Sequence, residues 1–308
     1  MSGEHVPVLE GAVLDGLNLR PDGRYVDGTF GRGGHAAAIL ARLGPQGRLL
    51  AIDRDPAAVR AAATLGQDPR FSIRRAEIAQ LDDIARQSGL LGQVDGLLLD
   101  LGVSSPQLDD GTRGFSFRHD GPLDMRMDPQ QGQSAADWLK TVDEKSLKRV
   151  LKNYGEERHA ARIARAILRA RAERPLTRTS ELAALVADCV PARGERLHPA
   201  TRTFQAIRIA VNDELGQLER ALDASLDVLA PGGRLCVISF HSLEDRLVKH
   251  FIRRHSETPA PWRGLPDVPR EHRPALRAVR RGVTADAAEV ERNPRARSAR
   301  LRVAERLP

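Results

Sequence analysis

The sequence predicts an α/β fold: a doubly wound parallel sheet with an all-helical segment inserted into it. Three observations carry this. Short apolar runs alternate with helix-forming stretches over residues 20–100, the pattern of a parallel sheet covered by helices on both faces. Three of those runs end in an acid, at Asp27, Asp53 and Asp100. From Ser134 to position 200 the pattern is helical without an intervening strand, and then the alternation resumes.

Taken in order, Glu10 to Leu17 is a short helix. Tyr25 and Val26 end a first buried strand that Asp27 closes. Gly28, Gly31, Gly33 and Gly34 follow, and after His35 an alanine-rich helix begins. Glycines at such a turn let the backbone bend sharply and approach a ligand closely. Arg48 to Asp53 is the second strand, apolar as a strand buried on both faces should be. Asp55 is placed to cap the next helix, with Pro56 in its first turn. Phe71 to Arg74 and Val94 to Asp100 are the third and fourth strands. Residues 102–133 form a long loop whose interleaved Phe, Leu and Met argue for order and function.

Helices are then expected over Ala135 to Val142, Glu144 to Tyr154 (capped by Asp143, ended by Gly155), Glu156 to Arg174 and Glu181 to Val190, the last two stopped by Pro175 and Pro191. Thr201 to Leu229 reads as helix with a bend near Asn212, and Pro231-Gly-Gly as a tight turn. Arg234 to Phe240 is the fifth strand. Ser242 with Asp245 reads as a capping box for a helix from Leu243 to His255. Residues 256–275 are Pro-rich and irregular. The last strands are Leu276 to Arg280 and Ala299 to Glu305, with the basic loop Asn293 to Ser298 between them. The expected division is a core of residues 1–106 with 201–308, and a loop plus helical insertion over 107–200.

The 308 residues are 41% hydrophobic and 29% charged, which fits a soluble globular protein. No apolar run approaches the roughly 20 residues that span a bilayer, and the first residues lack a basic-then-apolar signal. A cytoplasmic protein without a membrane partner is the expectation. Cys189 and Cys236 are too few for a disulfide framework or zinc site and read as buried thiols. The net charge is +7. From Pro259 to Pro308 there are twelve Arg and no Lys against six Asp and Glu, a net +6. Arginine suits bidentate phosphate contacts, so a nucleic-acid partner is implied. A solvated basic tail accounts for the charge equally well.

Ligands of open α/β sheets bind beyond the carboxyl ends of the strands. An acid after the second strand, Asp53, can accept hydrogen bonds from both hydroxyls of a ribose, so the ligand is read as a nucleoside. The loop is Gly28-x-x-Gly31-x-Gly33-Gly34 rather than Gly-x-Gly-x-x-Gly. A dinucleotide needs a helix N-terminus for its pyrophosphate, and Asp27 beside Asp100 would repel it. The two acids suit a cationic ligand such as S-adenosylmethionine. Spacing alone does not choose between methyl donor and NAD.

Longer motifs add to this. Asp27-Gly-Thr-Phe-Gly-Arg-Gly-Gly-His35, Ala51-Ile-Asp-Arg-Asp55, Leu99-Asp-Leu-Gly-Val-Ser-Ser-Pro-Gln-Leu-Asp109, Gly121-Pro-Leu-Asp-Met-Arg-Met127, His198-Pro-Ala-Thr-Arg-Thr-Phe-Gln-Ala206 and Ile238-Ser-Phe-His-Ser-Leu-Glu-Asp245 closely resemble the bacterial ribosomal RNA small subunit methyltransferase H family, almost end to end. The resemblance implies a class I Rossmann-like methyltransferase sheet with an inserted helical subdomain. It implies transfer of a methyl group from S-adenosylmethionine to the exocyclic N4 of one cytidine in 16S rRNA, in the decoding region of the small ribosomal subunit. Carried over by motif, Gly33, Gly34, His35, Asp53, Asp100 and Gln107 bind the donor. The position that flanks its adenine, often Phe in the family, falls at Ile78.

An exocyclic amine needs in-line approach to the methyl group and acceptors for its N–H groups, and positioning supplies much of the acceleration. Ser104-Ser105-Pro106 resembles the Ser-Pro-Pro-type motif of amino-methylating DNA enzymes. Ser105 is therefore the first candidate to hold the amine, and Asp124 the second, with an Asp124–Arg126 salt bridge as the rival reading. Methylation at cytosine carbon 5 would need a Cys nucleophile, and Cys236 lies inside a strand. His35, His198 and His241 lack metal-ligand spacing, so no metal is expected. Phe115 and Phe117 are read as base-stacking or as core. Arg158, Arg162, Arg165 and Arg169 share one helix face, either solvated or on RNA. An NAD-dependent oxidoreductase and a catalytically silent RNA-binding factor are the competing classes. The sequence leaves the oligomeric state open, a homodimer included.

Overall fold

The computed structural model describes residues 7–190 and 198–308, in two compact units: Met1–Gly102 with Leu215–Pro308, and Val103–Glu214.

The first unit opens with α1 (Glu10–Leu17), β1 (Arg24–Asp27), α2 (Gly34–Leu40), β2 (Arg48–Asp53), α3 (Pro56–Ala61), β3 (Phe71–Arg75), α4 (Leu81–Gln87) and β4 (Val94–Asp100). The second unit carries α5 (Ser105–Asp109), α6 (Ala135–Thr141), α7 (Glu144–Tyr154), α8 (Ala160–Glu173), α9 (Thr179–Cys189) and α10 (Thr201–Asn212). The chain re-enters the first unit along α11 (Glu214–Val228) and continues through β5 (Leu229–Ser239), α12 (Ser242–Ser256), β6 (Leu276–Thr284), α13 (Ala287–Arg292) and β7 (Arg300–Arg306).

The seven strands are ordered β3-β2-β1-β4-β5-β7-β6. β1 to β5 pair in parallel, while β7 runs antiparallel to both β5 and β6. Successive residues of β1, β2, β4 and β5 enter opposite cores. Tyr25, Leu49, Ala51, Leu98, Cys236 and Ile238 pack with α1, α2 and α3. Val26, Leu50, Ile52, Leu97, Leu99, Leu235 and Val237 pack with α4, α11 and α12. Burial on both faces is why these strands read as unbroken apolar runs.

The second unit has its own core, in which Leu139, Leu147, Leu151, Ile163, Ile167, Leu182, Val186 and Ile207 are fully buried. It begins at Val103 rather than 107 and ends at Glu214 rather than 200, because α10 gives Phe204, Ala206 and Ile207 to that core.

Several elements differ from expectation. Residues 156–159 are not helical: Glu156 takes φ +49°, and the helix begins at Ala160. Gly155 itself is right-handed; a Cβ there would lie 2.5 Å from the Arg202 carbonyl oxygen, so glycine permits a close backbone approach rather than a turn. The expected bend near Asn212 is a full break, with Asp213 in the left-handed region. Pro231-Gly-Gly lies within β5, where the β4 pairing shifts register. α12 is capped by His241, whose ring accepts from the Glu244 N–H, and Glu244 accepts in return from the N–H groups of Phe240 and His241, instead of by Ser242 with Asp245. Pro191, expected to stop α9, lies outside the described residues.

Candidate active site

The strand order reverses direction between β1 and β4, so the carboxyl ends of β1, β2 and β4 border the crevice where open α/β sheets bind ligands. Register places the acids there. Asp27 sits level with Ala51 on β2 and Leu98 on β4, so Asp53 and Asp100 each lie two residues further along the flanking strands. An even offset puts all three on the same side of the sheet.

The glycine loop is stitched to both neighbours. Gly28 donates its N–H to the Leu98 carbonyl at 2.9 Å, and Phe30 donates to that of Ile52 at 3.0 Å. Asp53 accepts from the Gly31 N–H and the Asp55 N–H, both at 2.8 Å. Thr29 joins the two remaining acids: its N–H donates to Asp27 at 3.1 Å, and its hydroxyl oxygen accepts the Asp100 N–H at 2.6 Å. Nothing in the sequence reading singled out Thr29 or Phe30. Their only signal was the motif that contains them.

Gly33 has φ +79°, and a Cβ there would meet the buried Phe30 ring at 2.6 Å. Cβ atoms on Gly28 and Gly34 would meet Leu99 and Pro7 at 2.6 and 2.7 Å. These glycines are therefore required by the protein's own packing as much as by a ligand. Gly31 differs: at φ +56° its added Cβ would meet nothing closer than 3.9 Å. Gly33→Ala is expected to lose about 2–3 kcal/mol, from left-handed strain plus the clash, and Gly31→Ala only about 1 kcal/mol from strain alone. Urea unfolding of the two variants checks this, and equal losses would refute the packing account.

His35, in the first turn of α2, is buried, with Nε2 3.6 Å from Asp100 Oδ2. Asp100 Oδ1 is buried with no hydrogen-bond partner among the described residues. Burial, then the charges of Asp27 and Glu244, push the Asp100 carboxyl up to about 8. Burial raises Asp27 to about 7, against its Thr29 hydrogen bond and with help from the Asp53 charge. Burial also raises Asp53 to about 6, opposed by the two N–H groups it accepts. Three carboxyls held this far above the ordinary range, one with an unanswered buried oxygen, form a site that favours a cation.

Ile78 follows β3 and is half-buried beside the loop, 3.8 Å from where a Cβ on Gly28 would stand. Its neighbour Glu77 accepts from Gln217 at 2.5 Å and lies 3.4 Å from Arg54. Gly33, Gly34, His35, Asp53, Ile78 and Asp100 thus line the loop and strand ends of the first unit.

Ser105 and Gln107 belong to the second unit, on α5. Gln107 is buried, and its amide oxygen accepts the Ser104 N–H at 2.9 Å, completing a capping box. The Ser104-x-x-Gln107 spacing with Pro106 is a helix start set within a stretch otherwise rich in loop formers. Asp124 is engaged by Arg126, accepting its backbone N–H, Nε and Nη2 at 3.0, 2.8 and 2.8 Å. Burial would raise the Asp124 carboxyl, but the Arg126 hydrogen bonds and charge hold it below the ordinary range. Phe115 is buried beneath the Arg113 guanidinium, and Phe117 packs between the rings of His198 and Phe204 at 4.5 and 4.9 Å.

A mostly parallel sheet with a glycine loop and three acids at its switch point is a Rossmann-like fold whose crevice suits a cationic ligand. Among solved structures, an rRNA methylase from Streptococcus thermophilus shares 12% identity over 97% of this chain and 94% of its own (TM-score 0.41). The N-methyltransferase NodS from Bradyrhizobium japonicum shares 11% over 98% and 89% (TM-score 0.43). The chain belongs to the MraW methylase family, whose model matches residues 2–307. This is the family that the motifs indicated, under another of its names, and its members are S-adenosylmethionine-dependent methyltransferases.

Proposed function

We propose that this protein methylates the exocyclic N4 of a cytidine in 16S rRNA of the small ribosomal subunit, in the cytoplasm. The observation that carries the reading is Asp100: a buried carboxylate oxygen with no hydrogen-bond partner among the described residues, beside Asp27 and His35, in a chain of the methylase family. S-adenosylmethionine, when bound, supplies a methyl group on a positively charged sulfur. The donor set fits it. Asp53, steadied by Gly31 and Asp55, would accept from ribose hydroxyls; Ile78 would pack on the adenine; Asp27 and Asp100 would answer the cationic amino-acid end.

On the acceptor side, the protein need only hold the amine and accept its N–H groups. Ser105, at the first position of α5, is the residue assigned to that task. Asp124, held by Arg126, is a positioning residue for the segment that carries it. S-adenosylmethionine would supply the methyl group to the amine nitrogen, its sulfur leaving with the bonding electron pair, and the amine would lose one proton to water. Cys236 supports nitrogen rather than carbon 5 as the target: its thiol is fully buried within β5, and burial pushes its pKa far up.

The test is transfer of tritium from labelled S-adenosylmethionine to small subunits and to naked 16S rRNA, followed by nucleoside analysis. Label in N4-methylcytidine is expected. Label in another nucleoside, or binding of NAD in place of S-adenosylhomocysteine, would overturn the reading.

A further inference from the structure

Two of the basic stretches of this chain differ in how the structure uses their charge. Most of the C-terminal arginines are exposed, but several are engaged by acids or carbonyls of the fold. Arg302 is buried and pairs with Asp245 at 2.7 and 3.0 Å. Arg277 pairs with Glu305 at 2.8 Å, and Arg306 donates to the carbonyls of Leu226, Ala275 and Leu307. Arg263 and Arg273 lie near Glu257 and Asp267, at 3.5 and 3.7 Å.

Residues 144–174 are as basic in a shorter span, with ten Lys and Arg against four Glu, a net +6. Their buried sides are Leu147 and Leu151 on α7, and Ala160, Ile163, Ala164 and Ile167 on α8. The opposite sides hold Lys145, Lys148, Arg149 and Lys152 on α7, and Arg162, Arg165 and Arg169 on α8, all exposed. Among the described residues none of these seven forms an ion pair. Arg162 and Arg165 donate only to the backbone carbonyls of Asp188 and Ala161.

Such rows have a cost. Lys145/Arg149, Lys148/Lys152 and Arg165/Arg169 are like-charge pairs at i,i+4, which repel along a helix. A merely solvated face mixes both signs. A partner that supplies closely spaced negative charge removes the repulsion. A lipid surface would need an apolar stripe beside the cations. Here the apolar sides of α7 and α8 are spent in the core, and the exposed large hydrophobics among the described residues, Leu265 and Val279, lie elsewhere in the sequence.

We infer that the outward faces of α7 and α8 are a docking surface for the phosphate backbone of RNA. This rests on the proposed RNA substrate and extends it to a second contact region in the chain. The seven cations hold the nucleic acid in register without reading its sequence.

The test uses the full chain, with the triple variant Arg162→Gln/Arg165→Gln/Arg169→Gln and, separately, Lys145→Gln/Lys148→Gln/Lys152→Gln. Binding of a 16S rRNA transcript is titrated across a range of KCl concentrations. Each triple variant is expected to make the slope of log affinity against log salt shallower by about 2, and to weaken binding roughly tenfold near physiological salt. S-adenosylhomocysteine affinity should stay at the wild-type value, and KM for RNA should rise with kcat held. A slope and affinity equal to wild type in both variants overturns the inference. So does a loss seen with assembled subunits but not with the naked transcript, since the partner is then protein. If wild-type protein binds RNA and the slopes change but no methyl group is transferred, the docking surface stands and the proposed reaction falls.

Discussion

Asp100→Ala is expected to weaken S-adenosylmethionine binding by about 2–4 kcal/mol, roughly 30- to 1000-fold, as removal of one partner from a desolvated charge interaction does. Methyl transfer should fall at least in proportion. The same substitution removes a half-buried acid, one oxygen of which is buried with no hydrogen-bond partner among the described residues, so the donor-free fold should be no less stable, and even slightly more stable, than wild type. The two effects pull apart, which separates a ligand-binding acid from a structural one. Calorimetric titration with donor and thermal unfolding without it supply the two readings. Unchanged affinity, or a collapse of the donor-free fold, would sink the assignment.

Between about pH 5 and pH 8 the donor-free protein should lose stability as pH rises. Asp27, Asp53 and Asp100 keep their protons to about 7, 6 and 8 in the folded chain, whereas an unfolded aspartate releases its proton near pH 4. Over that window the native state binds more protons than the unfolded state, so the slope of stability against pH is negative. Taken one by one, the three groups set an upper bound of about 8 kcal/mol on that decline. Donor affinity should run the other way, rising from about pH 6 to 8, because a cation needs the acids ionised. Asp100→Asn should flatten both profiles. A stability difference between wild type and Asp100→Asn that stays constant across the window would refute the coupling.

Much of this architecture was legible in the sequence. β2 and β4 match their expected limits because each is an apolar run closed by an acid, and Asp55 caps α3 as its Asp-Pro spacing indicates. What was illegible depended on partners distant in the chain. Glu156 to His159 consists of tolerable helix formers, yet the close approach of Gly155 to the Arg202 backbone starts a different path. Counting charge placed the basic surface in the last fifty residues, but a count cannot show that Arg302 is committed to Asp245 or Arg277 to Glu305. The site divides in the same way. The three acids were visible as strand ends. The Thr29 bridge between Asp27 and Asp100 required the register of β1 on β4.

The pairing of β4 with β5 spans the whole second unit: Val94 meets Leu229 and Asp100 meets Ile238. During synthesis, β1 to β4 leave the ribosome before β5 has been made. At ordinary elongation rates the delay is on the order of ten seconds, long compared with the folding of a helical unit. Residues 103–214 are contiguous and own their core, so they can fold during this interval, while β4 waits with one edge unpaired. The nascent chain is most exposed to misassociation then, and that vulnerability closes only when β5 emerges to cover the edge.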